Sequence, residues 1–94
     1  MLFTFRSKPK ILVEVSVYIE KDGDVFYAFS PTLPGLHVEG ETEEEVIQNA
    51  KDAAFAYLVS LIKHKEPLPI SRVITEIPIN AKVHSFIQQI PAYS

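Results

Sequence analysis

Isoleucine or valine occupies every odd-numbered position from Ile11 to Ile19, whereas the even-numbered positions up to Glu20 are mostly polar. A period of two is typical of a β-strand that buries one face. Asp22-Gly23 then supplies the residues that a tight hairpin turn requires, and the apolar-rich stretch 25–29 follows it. We therefore predict two antiparallel strands joined by a hairpin.

A proline-containing loop leads from the second strand to a third. Pro31 and Pro34 each fix φ and remove a backbone donor, which stiffens the loop. Gly35 can adopt a left-handed conformation at little cost. The alternation over 36–39 predicts a short, half-buried strand, and Gly40 ends it. The three strands together predict an antiparallel meander.

The next segment has the pattern of an amphipathic helix. Thr42 and Glu45 have the spacing of a capping box, in which the threonine hydroxyl accepts from the Glu45 N–H and the glutamate carboxylate accepts from the Thr42 N–H. We predict a helix from about Glu43 to Lys63, which ends because Pro67 follows shortly after it. Hydrophobic residues at helical spacing, three of them alanines, form its core-facing stripe: Val46, Ala50, Ala53, Ala54, Tyr57, Leu58 and Leu61.

Phe55, Val59 and Ile62 form a second apolar flank of this helix, outside the core-facing stripe. A sheet on one side of the helix cannot cover both, and monomeric proteins seldom expose a contiguous apolar patch. Either the C-terminal segment folds back over the flank or another subunit covers it. Because isologous dimers are the commonest symmetric assemblies, we expect a homodimer or larger homo-oligomer with this flank at the contact.

The remaining segments complete one domain. Alternation over 70–79 predicts a fourth strand, which we place beside the first. Residues 80–94 are interpreted as a C-terminal tail or a short helix capped by Asn80, and residues 1–10 as an N-terminal arm or an added edge strand. The apolar residues that would share a face of that short helix are Val83, Phe86, Ile87 and Ile90. At 94 residues the chain is expected to be a single α+β domain, with one long helix packed on the sheet.

Composition limits the partners that this domain can bind. The net charge of −3 argues against a nucleic-acid-binding surface, and the absence of cysteine excludes disulfides and thiolate metal sites. The acidic residues crowd the start of the predicted helix: Glu39, Glu41, Glu43, Glu44 and Glu45. Such a run is either a solvated helix start that the helix dipole stabilises or a surface for a cationic partner.

No arrangement of residues indicates catalysis. His37, His64 and His84 share no metal-ligand spacing, and neither a glycine-rich phosphate loop nor a nucleophilic serine motif occurs. We therefore predict no catalytic residue, no metal and no cofactor. No apolar run is long enough to span a bilayer and no secretory signal begins the chain, so we expect a cytoplasmic protein that does not bind membranes.

The loop and the helix start together resemble the HicB family, the antitoxin half of the HicA/HicB toxin–antitoxin modules. The resemblance runs from about Tyr18 to Pro69. The family usually has Asp where this chain has Thr32, and often Cys where it has Leu36. The motif residues, to which we assign structural roles, are Pro31, Leu33, Pro34, Gly35, Gly40, Thr42 and Glu45.

The resemblance implies an antitoxin that binds and occludes a small HicA-type toxin, which cleaves messenger RNA, and that is not itself an enzyme. It also implies a fold that resembles part of ribonuclease H. Many HicB proteins carry a C-terminal DNA-binding domain, but the residues after Ile79 are too few for a helix-turn-helix, which makes DNA binding by this chain doubtful. On this hypothesis the toxin contacts Glu39, Glu41, Glu43 and Glu44.

Three alternatives remain at this point. The first is an orphan HicB-like module that binds another protein, or only itself, without a toxin. The second is a degenerate ribonuclease H-like nuclease, although the acidic residues of the sequence form a poor set for two metal ions. The third is an RNA-binding sheet on which Tyr18 and Phe26 would stack bases, although the accompanying basic residues are absent.

Overall fold

The computed structural model describes residues 10–69 and 81–91. The first three strands are β1 (Lys10–Asp22), β2 (Val25–Phe29) and β3 (His37–Gly40), the helix is α1 (Glu43–Lys63), and the last strand is β4 (Lys82–Pro91). The four strands form one sheet in the order β3-β2-β1-β4, and every neighbouring pair is antiparallel. This confirms the α+β class, the meander and the single long helix on a four-stranded sheet, but the described strand beside the first is β4 and not the predicted segment 70–79.

The core lies between one face of the sheet and α1. The odd-numbered residues of β1 from Val13 to Ile19 are buried on this face, as the alternation predicts. Val46, Ala50, Ala54 and Leu58 bury the facing side of α1 completely. The remaining residues of the predicted stripe, Ala53, Tyr57 and Leu61, are half-buried against the same core. Because alanine has a small side chain, the helix can approach the sheet closely.

Two glycines have the backbone conformation that their turns require. Gly23 in the β1–β2 hairpin has a φ of +65° and Gly35 in the proline-containing loop has a φ of +91°. The left-handed conformation predicted for Gly35 is therefore confirmed. A Cβ at Gly35 would meet nothing within 4 Å, so any penalty for a larger residue comes from the backbone conformation and not from a steric clash.

The expectation of a C-terminal tail or short helix is wrong, because residues 82–91 form β4. This strand pairs with β1 over its whole length, and Phe86 and Ile90 enter the core from it. The fourth strand predicted at 70–79 lies outside the described residues, as do residues 1–9 of the predicted N-terminal arm. The apolar spacing that indicated a helix arises because β4 carries apolar side chains on both faces.

The predicted flank of α1 is covered only in part. Val59 and Ile62 are half-buried and pack against the core, whereas Phe55 remains 44% exposed. The C-terminal segment, the alternative cover for this flank, does contact α1, but as a strand of the sheet and not as a helix. Within the described part of the chain, no helix is long and apolar enough to cross a membrane.

Candidate partner-binding surface

The acidic residues lie where β3 passes into α1. Glu39 is exposed on β3, Glu41 is exposed in the short turn, and Glu44 is exposed in the first turn of the helix. Glu43 is half-buried beside them. The structure therefore brings the four predicted contact residues to one end of the domain.

The capping box fixes where this end begins. Thr42 is the N-cap of α1, and its Oγ1 accepts from the Glu45 N–H at 3.0 Å, as predicted. Such a cap stabilises a helix by about 1 kcal/mol. The Glu45 carboxylate, however, accepts from the N–H of Glu41 rather than from that of Thr42. The tight turn before the cap brings the Glu41 N–H within reach of this carboxylate. Glu45 therefore takes part in the helix cap through its N–H and holds the acidic turn through its carboxylate.

Gly40 allows β3 to approach the helix closely. A Cβ at this position would lie 2.8 Å from the backbone nitrogen of Val46 and 3.1 Å from its Cα, closer than side chains tolerate. The amide of Asn49 donates to the Glu39 carbonyl at 2.9 Å, which ties the strand to the helix a second time. Sequence reasoning assigned Gly40 only to the end of a strand. Its role in packing depends on a contact six residues along the chain that no local pattern indicates.

The ion pair found among the described residues involves one of these acids. Lys82 Nζ at the start of β4 lies 2.9 Å from Oε2 of Glu43, and both side chains are partly exposed. An exposed pair of this kind contributes at most about 1 kcal/mol. Glu39, Glu41 and Glu44 have no cation within ion-pair distance in the described part of the chain, so they carry most of the negative charge that this surface presents to a partner.

A shallow depression lies beside the start of α1. It is lined by the apolar side chains of Phe26 and Ile47, by Thr42, and by three acids, Glu41, Glu43 and Glu44. Lys21 Nζ lies 5.4 Å from the centre of the Phe26 ring. A lysine or arginine side chain buries its aliphatic stem on apolar surface and keeps its charge near water or carboxylates. The depression therefore combines apolar surface with carboxylates, an arrangement that accepts a lysine side chain, as Lys21 shows at the Phe26 ring.

Ser30 organises the loop that precedes β3. Its buried hydroxyl accepts from the N–H groups of Thr32 and Leu33, both at 3.1 Å, and donates to the Ser16 carbonyl on β1 at 2.7 Å. Thr32 Oγ1 accepts in turn from the Ser16 N–H at 3.2 Å. Sequence reasoning treated Ser30 only as the residue before a proline. The signal that could have identified it is a serine at the start of a turn, where its hydroxyl can bond the following backbone N–H groups.

The other end of this loop is fixed by the helix. Leu33 and Leu36 are buried in the core, and the Tyr57 hydroxyl on α1 donates to the Pro34 carbonyl at 2.9 Å. An acceptor side chain at position 32 satisfies the Ser16 N–H, and either a threonine hydroxyl or an aspartate carboxylate provides one. Thr32, which stands where the family usually has Asp, provides this acceptor.

The histidines have separate surroundings. His37 lies beside the Tyr27 ring, with 5.8 Å between ring centres, and His84 lies 6.3 Å from the Phe86 ring. His64 follows α1, and its Nδ1 lies 2.8 Å from the Ser60 carbonyl. In the ranges 10–69 and 81–91, no group of three or more His, Cys, Asp or Glu residues could hold a metal ion.

The aromatic residues considered for RNA stacking lie on opposite faces of the sheet. Tyr18 pairs with Phe29 on the face away from α1. Their rings pack edge to face, with 5.3 Å between the ring centres. Phe26 pairs with Lys21, and the side chains of this pair point to the opposite face from those of Tyr18 and Phe29. Phe26 packs against the core beneath the helix. Because Tyr18 and Phe26 do not share a surface, they cannot form one base-stacking platform.

Comparisons with known proteins agree on one family. The model of the HicB-like antitoxin of bacterial toxin–antitoxin systems matches residues 15–91. A UPF0150 protein of Synechocystis is 39% identical over 69 residues, which are 72% of this chain and 87% of that protein. A UPF0150 protein of Thermoplasma acidophilum is 41% identical over 58 residues, which are 61% of this chain and 84% of that protein.

A solved structure has the same fold. It is the N-terminal domain of the antitoxin HicB of Burkholderia pseudomallei, with a TM-score of 0.67 and 23% sequence identity, covering 79% of this chain and 95% of that one. The fold, the motif residues and the match over residues 15–91 lead to one conclusion: this chain belongs to the HicB-like antitoxin family of bacterial toxin–antitoxin systems.

Proposed function

We propose that this chain is an antitoxin that binds a small HicA-type toxin in the cytoplasm and prevents it from reaching messenger RNA. The family match over residues 15–91 carries the proposal. The antitoxin acts by stoichiometric occlusion and needs no chemistry of its own, so it is not an enzyme. Its partner is the toxin protein.

The acidic end of the domain supports this proposal through its charge. A protein that cleaves RNA must bind a polyanion, and its RNA-binding surface is therefore basic. Glu39, Glu41 and Glu44 offer carboxylates to such a surface, and Glu43 adds a fourth that Lys82 partly neutralises. Complementary charge of this kind speeds association and selects the partner.

The depression adds shape to this charge. A basic side chain of the toxin would lay its stem on Phe26 and Ile47 and bring its charge to Glu41 and Glu44. Every basic side chain held in this way is unavailable to an RNA phosphate. Occlusion therefore follows from competition for the same cations.

The proposal includes self-association, with Phe55, Val59 and Ile62 at the contact. Phe55 supports it because its ring remains 44% exposed on α1. Val59 and Ile62 lie beside it but are half-buried in the core of the same chain. The contact therefore centres on Phe55. Val59 and Ile62 contribute less to it because they pack mainly against the core of their own chain.

The expected activity can be measured as protection of RNA. Purified HicA-type toxin cleaves a fluorescent RNA, and the chain is added in increasing amounts at a toxin concentration well above the dissociation constant. Cleavage should fall linearly and stop when the toxin is saturated, because occlusion is stoichiometric. The chain alone should leave the RNA intact. Unabated cleavage in a large excess of the chain would contradict the proposal.

A further inference from the structure

Lys21 lies over the ring of Phe26, beside the depression. The two residues are Cα partners in the β1–β2 hairpin, so their side chains lie next to each other on the helix side of the sheet. Lys21 Nζ is 5.4 Å from the ring centre, within the range in which an aromatic ring attracts a cation. Within residues 10–69 and 81–91, no carboxylate forms an ion pair with Lys21. The ring is therefore the group that holds this ammonium.

The same ring lines the depression. Phe26 shares this lining with Ile47 and with the acids at the start of α1. Phe26 is half-buried and also packs against the core, so only part of its ring is open to a cation. A basic side chain that enters the depression therefore requires the part of the ring that Lys21 covers.

We propose that Lys21 is an internal competitor of the partner's basic side chain. In the free chain its ammonium covers the open part of the Phe26 ring, and it leaves the ring when a basic side chain of the toxin enters. The inference rests on the proposed function, because it takes the depression as the place where the toxin docks. It adds one residue that opposes binding to a surface whose carboxylates favour it.

The strength of the ring contact sets the size of the effect. A cation over an exposed ring is favoured about two- to fivefold over the open ring. A partner that binds only the open form therefore has its dissociation constant raised by one plus this ratio, which is about three- to sixfold. Lys21 is exposed, so its ammonium returns to water when it leaves the ring. The effect is large enough to measure and too small to prevent the toxin from binding.

Lys51 offers a matched comparison. Its Nζ lies 5.7 Å from the centre of the Phe86 ring, so it makes the same kind of contact and carries the same charge. Phe86 lies on β4 and is not among the residues that line the depression. Replacing Lys51 by methionine therefore removes a lysine and a ring contact without opening the ring at which the toxin would bind.

Calorimetric titration of a HicA-type toxin with four chains tests the proposal: the unmodified chain, Lys21→Met, Phe26→Leu and the double variant. Methionine keeps an apolar stem and removes the charge. Lys21→Met should tighten binding about three- to sixfold, also at high salt, where the general effect of charge is screened. In the Phe26→Leu background the same substitution should change the dissociation constant by less than about twofold, because no ring remains to compete for. Lys51→Met should have an equally small effect.

The side chain of Lys21 gives a second readout that needs no variant. In the free chain, the ring current of Phe26 should shift the NMR signals of the Lys21 ε-methylene group. When the toxin is added, these signals should move to the positions of a solvated lysine. This measurement is independent of whether Phe26→Leu folds.

Three results would overturn the proposal. The first is a dissociation constant that Lys21→Met leaves unchanged, and the second is equal tightening by Lys51→Met or in the Phe26→Leu background. The third is a set of ring-shifted Lys21 signals that persists in the complex. Each of these leaves the proposed function intact, because the toxin is still bound. A toxin that binds none of the chains would contradict the proposed function itself, and this inference with it.

Discussion

Replacing Ser30 by alanine is expected to lower the free energy of unfolding by about 3 kcal/mol, because it leaves buried polar groups without partners. The hydroxyl accepts from two backbone N–H groups, those of Thr32 and Leu33, and donates to the Ser16 carbonyl. The Ser30 hydroxyl thus provides a hydrogen-bond partner for the backbone of β1 beyond the end of β2. Alanine keeps the volume nearly unchanged, so the loss is one of hydrogen bonds and not of packing.

Urea denaturation at fixed protein concentration measures the loss in the free energy of unfolding on Ser30→Ala. Ser60→Ala is the matched control, because Ser60 is exposed on α1 and its substitution should change the stability by no more than about 0.5 kcal/mol. An equally small change in Ser30→Ala would show that the prolines and buried leucines alone set the conformation of the loop, and that the Ser30 hydroxyl does not.

Replacing Glu41, Glu43 and Glu44 together by glutamine is expected to slow association with a HicA-type toxin about tenfold at low salt. The side chains keep their shape and lose the charge that attracts a basic surface over distance. The difference should shrink as salt is raised, because screening removes the same attraction from the unmodified chain. Glu45 is left in place because its carboxylate holds the turn before the helix.

Stopped-flow measurement of the association rate constant tests this prediction. The matched control removes three negative charges elsewhere: Glu20→Gln, Asp24→Asn and Glu66→Gln. It alters the net charge equally, so it should retain most of the rate if the position of the charge matters. Equal rates for the two triple variants would mean that the acidic end serves only to cap and solubilise the helix.

Most of the fold could be predicted because local signals agreed with the final packing. The valines and isoleucines of β1 have a strict period of two, Asp22-Gly23 suits the hairpin, and Thr42 starts the helix where the cap was predicted. β4 was misinterpreted for a definable reason. Val83 and Ile87 lie on the open face while Phe86 and Ile90 lie in the core, and their combined spacing imitates one face of a helix.

The site could be predicted only where it depends on neighbours in sequence. The acidic end follows directly from the run at the helix start, since a cap and its first turn are local. Three contacts span more of the chain and escaped prediction: the Glu43–Lys82 ion pair, the approach of Gly40 to Val46 and the bond from Ser30 to Ser16. Each depends on how the strands and α1 are placed relative to one another, which no single stretch specifies.

Competition between the chain and RNA for the toxin is the decisive test of occlusion. A fluorescent RNA that resists cleavage is bound to a HicA-type toxin, and its anisotropy is followed as the chain is added. We expect the RNA to be displaced in proportion to the toxin bound by the chain, because both ligands require the same cations. A ternary complex in which RNA and the chain occupy the toxin together would show that the chain does not act by occlusion.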